Sequence, residues 1–200
     1  MNKGLLFIVS GPSGAGKGTI CEQVLARTGM VRSVSVTTRA KREHEQEGLH
    51  YFFRTEEQYR QMIADGEFFE TAEVFNHFYG TPKAPVLDNL EKGIDVLCEI
   101  DVHGAASIKK QYPDAVSVFV MTPDFDVLAE RLRGRGTETE ASLKTRLGSA
   151  KRELGKFKLY DYIVFNDTID DAVEQMLDIV TAEKCKVKNN LDKIAALLGK

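Results

Sequence analysis

Residues 5–19 read Leu5-Leu6-Phe7-Ile8-Val9-Ser10-Gly11-Pro12-Ser13-Gly14-Ala15-Gly16-Lys17-Gly18-Thr19: an apolar run, a glycine-rich turn and a lysine. The unbroken apolar run predicts a strand covered on both faces. Small residues at Gly11, Ser13, Gly14 and Gly16 let backbone N–H groups turn inward around phosphate oxygens without side chains in the way. Lys17 adds a point charge that reaches the outer phosphates. A helix from about residue 17 through 26 aims its N-terminus at the same place, so its dipole favours the anion too. A Ser or Thr usually follows the lysine and touches magnesium; here Gly18 stands there and the hydroxyl comes one later, at Thr19. Contact with the metal is therefore expected through water. The reading predicts an ATP site over Gly11, Pro12, Ser13, Gly14, Ala15, Gly16, Lys17, Gly18 and Thr19. A glycine-rich turn with no ligand is the alternative, and the strand before it and the helix after it argue against that.

A chain of 200 residues suffices for one sizeable core with small insertions, not for two large domains. With 27 basic and 30 acidic residues, the net charge of −3 gives no general attraction to nucleic acid or an anionic membrane. The residues ahead of the glycine turn are too few for a signal-peptide core, and no apolar run reaches membrane-spanning length. A cytoplasmic protein is expected. Cys21, Cys98 and Cys185 are odd in number and lack neighbours at metal-ligand spacing, which suits reduced thiols.

Short apolar runs recur at Val34–Val36, Val96–Ile100, Val116–Met121 and Tyr162–Phe165, between segments of helical periodicity. Such alternation implies a parallel α/β sheet. Thr55 with Gln58 forms a capping box, as does Thr137 with Glu140, and Thr122-Pro123 is placed to open a helix carrying Val127, Leu128 and Leu132. Ile169, Ala172, Val173, Met176 and Val180 mark a last long amphipathic helix. After a polar break at Lys186–Asn190, Val187, Leu191, Ile194 and Leu198 suggest a terminal helix, with its apolar side against the body or a second subunit. Two stretches break the rhythm, about 35–90 and 124–155, and read as insertions able to close over the loop and exclude water. That favours transfer over hydrolysis.

The first insertion carries Ser35-Val36-Thr37-Thr38-Arg39-Ala40-Lys41-Arg42, then Tyr51, Glu67-Phe68-Phe69-Glu70 and Tyr79-Gly80-Thr81. Glu99-Ile100-Asp101 and Arg131-Leu132-Arg133-Gly134-Arg135-Gly136, followed by Arg146, complete a set that resembles the guanylate kinases from about Gly4 to Glu183. The resemblance implies an α/β fold of P-loop NTPase type: a three-layer core with a parallel sheet over 4–34, 91–123 and 156–184, a GMP-binding insertion over 35–90, an arginine-rich lid over 124–155 and a helical tail over 185–200. It also implies phosphoryl transfer from ATP to GMP or dGMP, with magnesium as cofactor, in a monomer or homodimer.

The residue chemistry agrees with that implication. Arg39 and Arg42 offer two guanidinium forks, and Tyr51 and Tyr79 two phenolic donors, for a dianionic acceptor phosphate. Guanine shows two N–H donors on its Watson–Crick edge, so one carboxylate can accept both; the resemblance gives that task to Glu70, with smaller contacts from Ser35 and Thr81. Glu99 and Asp101 alternate toward one face at the C-terminal end of a strand, facing guanine, Lys17 or hydrated magnesium. The resemblance puts Glu99 nearer the base and Asp101 nearer the loop. It makes Arg135 and Arg146 the arginines that close on the transferring phosphoryl group, with Arg131 beside them, and sets Asn166 on the adenine side. Taken alone, Arg131 and Arg133 read as a solvated helix face. An ionised phosphate oxygen is the attacking group, so no histidine is required as a base.

Lys41, His44 and His103 depart from the family pattern, which has Pro, Gly and Gln there, and Lys41 is expected to loosen the turn before Arg42. Two rivals remain in view. Adenylate kinases also carry a G-K-G-T loop, but Glu70 and the S-x-T-T-R-x-x-R segment argue against them. Guanylate kinase-like domains also serve as noncatalytic peptide-binding modules, and the complete loop with its lid arginines argues for an enzyme.

Overall fold

The computed structural model describes residues 3–74, 76–134 and 140–199, the side chains of 140–142 excepted. Five strands form an all-parallel sheet: β1 (Leu6–Ser10), β2 (Val31–Arg32), β7 (Val96–Glu99), β8 (Val116–Met121) and β9 (Tyr162–Phe165), in the order β2-β7-β1-β8-β9. Every residue of β1 is buried because helices cover both faces of the sheet. On one face Phe7, Val9, Val118, Val120 and Val164 pack against α1 (Lys17–Arg27) and α7 (Ile169–Cys185) through Ile20, Val24, Val173 and Met176. On the other, Leu6, Ile8, Val96 and Cys98 meet α3 (Lys83–Glu91) and α4 (Val102–Gln111) through Val86, Leu90, Ala105 and Ile108. These are the three layers that the alternation of runs predicts.

The segment read as the first insertion builds a second, mixed sheet, ordered β4-β3-β6-β5, from β3 (Val36–Thr37), β4 (Phe52–Phe53), β5 (Phe68–Val74) and β6 (His77–Pro82). Helix α2 (Glu56–Ala64) packs on it through Tyr59, which stacks with Phe78 at 5.5 Å. The Thr55–Gln58 capping box forms with both of its bonds. A register shift between Phe68 and Glu70 marks a β-bulge. Around it Phe68 enters the small core of this sheet, while Phe69 enters the main core and moors the insertion to the body. Helix α3, read from sequence with the insertion, packs on the main sheet.

Helix α5 (Phe125–Arg133) and helix α6 (Glu140–Leu154) share a separate small core of Leu128, Leu132 and Ala150. The cap of α5 differs from expectation: Asp124 accepts from Val127 N at 2.7 Å, and Thr122 instead donates its hydroxyl to the Asp124 carbonyl at 2.6 Å. The carboxylate wins because it stands directly before the first helical residue, where an oxygen reaches the orphan N–H groups. The Thr137–Glu140 box lies outside the described residues. Helix α8 (Leu191–Leu197) leaves Val187 before it and Leu191, Ile194 and Leu198 exposed, so that apolar side is not packed on the body.

Candidate active site

Between β1 and α1 the chain turns through three glycines with positive φ, Gly11, Gly14 and Gly16, where side chains are disfavoured. A Cβ on Gly11 would lie 2.0 Å from the Val120 carbonyl oxygen, and one on Gly16 would lie 2.1 Å from Asn166 Nδ2. The loop therefore needs glycine at both positions. Gly16 caps α1 without any side-chain bond, and the first turn of the helix holds no acidic residue. The N-terminal amides thus face outward with the dipole behind them, the arrangement that receives an anion. Lys17 Nζ curls over the loop, donating to the carbonyls of Gly11 at 2.6 Å and Pro12 at 3.0 Å.

Asn166, expected on the adenine side, meets the loop at Ala15. It is fully buried, and its Nδ2 donates to the Ala15 carbonyl at 2.7 Å. It stands just past β9, its backbone N donating to the Met121 carbonyl at the end of β8 at 2.7 Å, and from there its amide braces Ala15. Gly11, Ser13, Gly14, Gly16, Lys17, Gly18 and Thr19 line a cavity of about 430 Å³ with Glu99, Asp101 and Glu153.

Glu99 ends β7 and Asp101 follows two residues on, and both line the cavity with the loop. Glu99 stands beside the loop helix: a Cβ on Gly18 would lie 3.6 Å from its Oε1, and Arg32 Nη1 donates to its Oε2 at 3.1 Å. Asp101 caps α4, accepting from His103 N and Gly104 N at 2.8 Å each. It is the carboxylate whose charge reaches Glu70. Asp101 lies beyond the end of β7, at the start of α4, so the cap and not the strand pleat sets its direction.

Glu70 is half-buried, and Thr81 Oγ1 donates to its Oε1 at 2.7 Å. Burial raises the Glu70 carboxyl above its ordinary range; the Thr81 hydrogen bond opposes this, and the Asp101 charge adds to it. Arg39 lies over the Tyr51 ring at 5.6 Å, and the Tyr51 and Tyr79 rings meet edge to face at 5.9 Å. Tyr59 Oη fixes the same strand by donating to the Tyr79 carbonyl at 2.7 Å. Ser35 precedes β3, its carbonyl accepting from Phe52 N at 2.9 Å. Thr37 and Thr38 are structural: their hydroxyls accept from Arg39 N at 3.2 Å and Phe78 N at 2.9 Å.

Sequence reading passed over Glu45. Its two oxygens accept from Arg39 Nη2 at 2.6 Å and from the backbone N of Arg42 at 2.8 Å, although the residue is nearly buried. Those bonds hold its carboxyl down at about 2. Nothing local marks it, since Glu45 is one of three alternating glutamates, Glu43, Glu45 and Glu47.

On the other insertion, Leu128 and Leu132 of α5 approach the loop; a Cβ on Gly14 would lie 3.2 Å from each. Arg131 donates to the Asp167 carbonyl at 3.3 Å, next to Asn166. Arg146 sits half-buried on α6. Arg135 lies outside the described residues.

A glycine-rich loop at the C-terminal edge of a parallel sheet, with an inserted sheet that carries Glu70, Arg39 and Tyr51, defines a P-loop protein with an inserted subdomain. The guanylate kinase family model matches residues 3–183. The chain is 48% identical over 193 residues to a guanylate kinase of Thermotoga maritima, covering 96% of this chain and 93% of the relative. A guanylate kinase of Carboxydothermus hydrogenoformans is 47% identical over 189 residues, covering 94% of this chain and 93% of the relative. Among solved structures, guanylate kinase from Anaplasma phagocytophilum superposes with a TM-score of 0.75 at 32% identity, over 98% of this chain and 95% of that one. The chain belongs to the guanylate kinase family.

Proposed function

We propose that the protein transfers the γ-phosphoryl group of ATP to GMP, giving ADP and GDP. The observation that carries the reading is the pairing of the uncapped loop helix at Gly16 with the Glu70–Thr81 acceptor on the facing sheet. In this reading the loop amides and Lys17 hold the donor phosphates, while Arg39, Arg42, Tyr51 and Tyr79 hold the acceptor phosphate. Glu70, with Thr81 bonded to it, accepts the guanine N–H groups, and Ser35 adds a smaller contact. Adenine offers no such pair of donors, so it leaves the carboxylate unpaired, a penalty of several orders of magnitude in rate.

The attacking oxygen is already ionised, so the side chains align the reactants and neutralise charge rather than move a proton. Arg146, with Arg135 and Arg131, meets the charge that develops on the transferring group. The division into core, acceptor insertion at 35–90 and lid at 124–155 is the matching mechanical reading, in which α5 and α6 swing over the loop. Among the described residues no group of three or more His, Cys, Asp or Glu side chains is placed to grip a metal ion. The hard oxygen donors Thr19 and Asp101 suit a hydrated magnesium ion that arrives with ATP, which neutralises donor phosphate charge when bound. The cytoplasm, where both nucleotides are made and used, is the matching compartment; among the described residues no helix is long and apolar enough to cross a membrane.

Isothermal titration of GMP and AMP into the protein tests the acceptor half directly. Selective binding of GMP supports the reading, and equal binding of both overturns it.

A further inference from the structure

We propose that Glu45 is a positioning residue for acceptor recognition, its carboxylate holding the Arg39 guanidinium and the Arg42 backbone in place before any phosphate arrives. The inference rests on the reading of Arg39 and Arg42 as the acceptor-phosphate clamp. Three constraints meet at Arg39: Nη2 donates to Glu45 Oε1 at 2.6 Å, Nη1 donates to the Ala40 carbonyl at 2.8 Å, and Tyr51 lies under the guanidinium. A guanidinium has five N–H donors, so these two bonds leave others for a phosphate. The second oxygen of the same carboxylate reaches Arg42 N at 2.8 Å, so one side chain ties both ends of the clamp turn.

The turn needs such a tie. Lys41 stands between the arginines with no ring to fix its φ, and Arg42 and Lys41 are both exposed. Glu47 repeats the device at the far end of the loop, accepting from Phe53 N at 2.9 Å and Arg54 Nη1 at 2.8 Å. The ordering cost of a flexible arginine is thus met in folding rather than in binding.

A negative charge beside an anion site has a second effect, repulsion, and the two effects predict opposite signs. If positioning dominates, Glu45→Ala weakens GMP. If repulsion dominates, Glu45→Ala and Glu45→Gln both tighten it.

The test is titration of GMP, guanosine and ATP into the wild type, Glu45→Ala, Glu45→Gln and Arg39→Ala, with steady-state kinetics alongside. Glu45→Ala is expected to raise the dissociation constant and KM for GMP about tenfold or more, the loss that follows when a preorganised group must be ordered on binding. Guanosine, which lacks the phosphate, and ATP are expected to bind unchanged, and kcat at saturating GMP to stay near wild type. Glu45→Gln, which keeps one acceptor oxygen, falls between. Unchanged or tighter GMP binding by Glu45→Ala, with Arg39→Ala weakened, overturns the proposal and leaves the clamp reading standing. Equal weakening of guanosine or ATP overturns it in favour of a general structural role. An unaffected Arg39→Ala removes the clamp reading itself, and the proposal with it.

Discussion

Thr81 Oγ1 donates to Glu70 Oε1 at 2.7 Å across the β5–β6 pair, immediately after the bulge between Phe68 and Glu70. A bulge re-aims the side chain that follows it. Here it sends Phe69 into the main core and leaves Glu70 against α4, where a Cβ on Gly104 would lie 3.3 Å from Glu70 Cγ. The carboxylate is therefore set by packing on one side and a hydroxyl on the other.

Because burial raises the Glu70 carboxyl above its ordinary 4.5, guanine recognition should fail on acidification earlier than for an exposed glutamate. The ionised form accepts the base N–H groups, so guanosine affinity falls as pH drops through the raised value. Stability moves the other way: the folded state holds this proton more tightly than the unfolded chain, so the contribution of Glu70 is largest in acid and is lost as pH rises through the folded value. Titration of guanosine between pH 4.5 and 8 checks the first sign, with Glu70→Gln expected to flatten the profile.

The strands of the main sheet were legible because their apolar character is continuous: Val116–Met121 and Tyr162–Phe165 are β8 and β9 to the residue. The insertion was harder to read. β5 mixes Phe68 and Phe69 with Glu70, Thr71 and Glu73, since one face meets the cleft and a bulge breaks its period. Helix α4 buries only the short stripe Val102, Gly104, Ala105 and Ile108, so its periodicity is faint in the sequence. The burial of Asn166 and its bond to Ala15 depend on how the end of β9 meets the loop in the folded sheet, which no local pattern shows. Glu45 carries no local signal at all; its partners are side-chain and backbone groups that only the folded loop brings together.

Asn166→Ala removes the 2.7 Å bond to Ala15 O and leaves that carbonyl unsatisfied. The expected cost is about 1–3 kcal/mol, and at this chain length Tm falls by about 2–4 °C per kcal/mol. Weaker ATP binding should accompany it, because the loop loses its brace. Calorimetric melting with and without ATP measures both, and a wild-type Tm would exclude the brace.

Lys17→Ala or Arg146→Ala should lower kcat by about three orders of magnitude, the range for removing a charge that meets the transferring phosphoryl group. GMP affinity should change little in either variant. Single-turnover phosphoryl transfer, followed by quenched flow, separates this from slow product release.

Burial pushes the Cys21 and Cys98 thiols up to about 12, whereas Cys185 is exposed at the end of α7. The thiolate is the reactive form, so a chromogenic disulfide reagent should titrate Cys185 alone in the native protein. All three of the cysteines should react after denaturation. Fast modification of three thiols in the native state would contradict the burial of Cys21 and Cys98.

The central claim is that Glu70 selects guanine for phosphoryl transfer. It is tested most directly by ADP formation with ATP, magnesium and GMP, AMP, UMP or CMP, for the wild type and Glu70→Ala side by side. The account predicts rapid turnover of the wild type with GMP alone, and a loss in the variant that falls on kcat/KM for GMP and narrows its margin over AMP. Turnover of AMP by the wild type at a rate comparable to GMP, or a variant that keeps full selectivity for GMP, would contradict it.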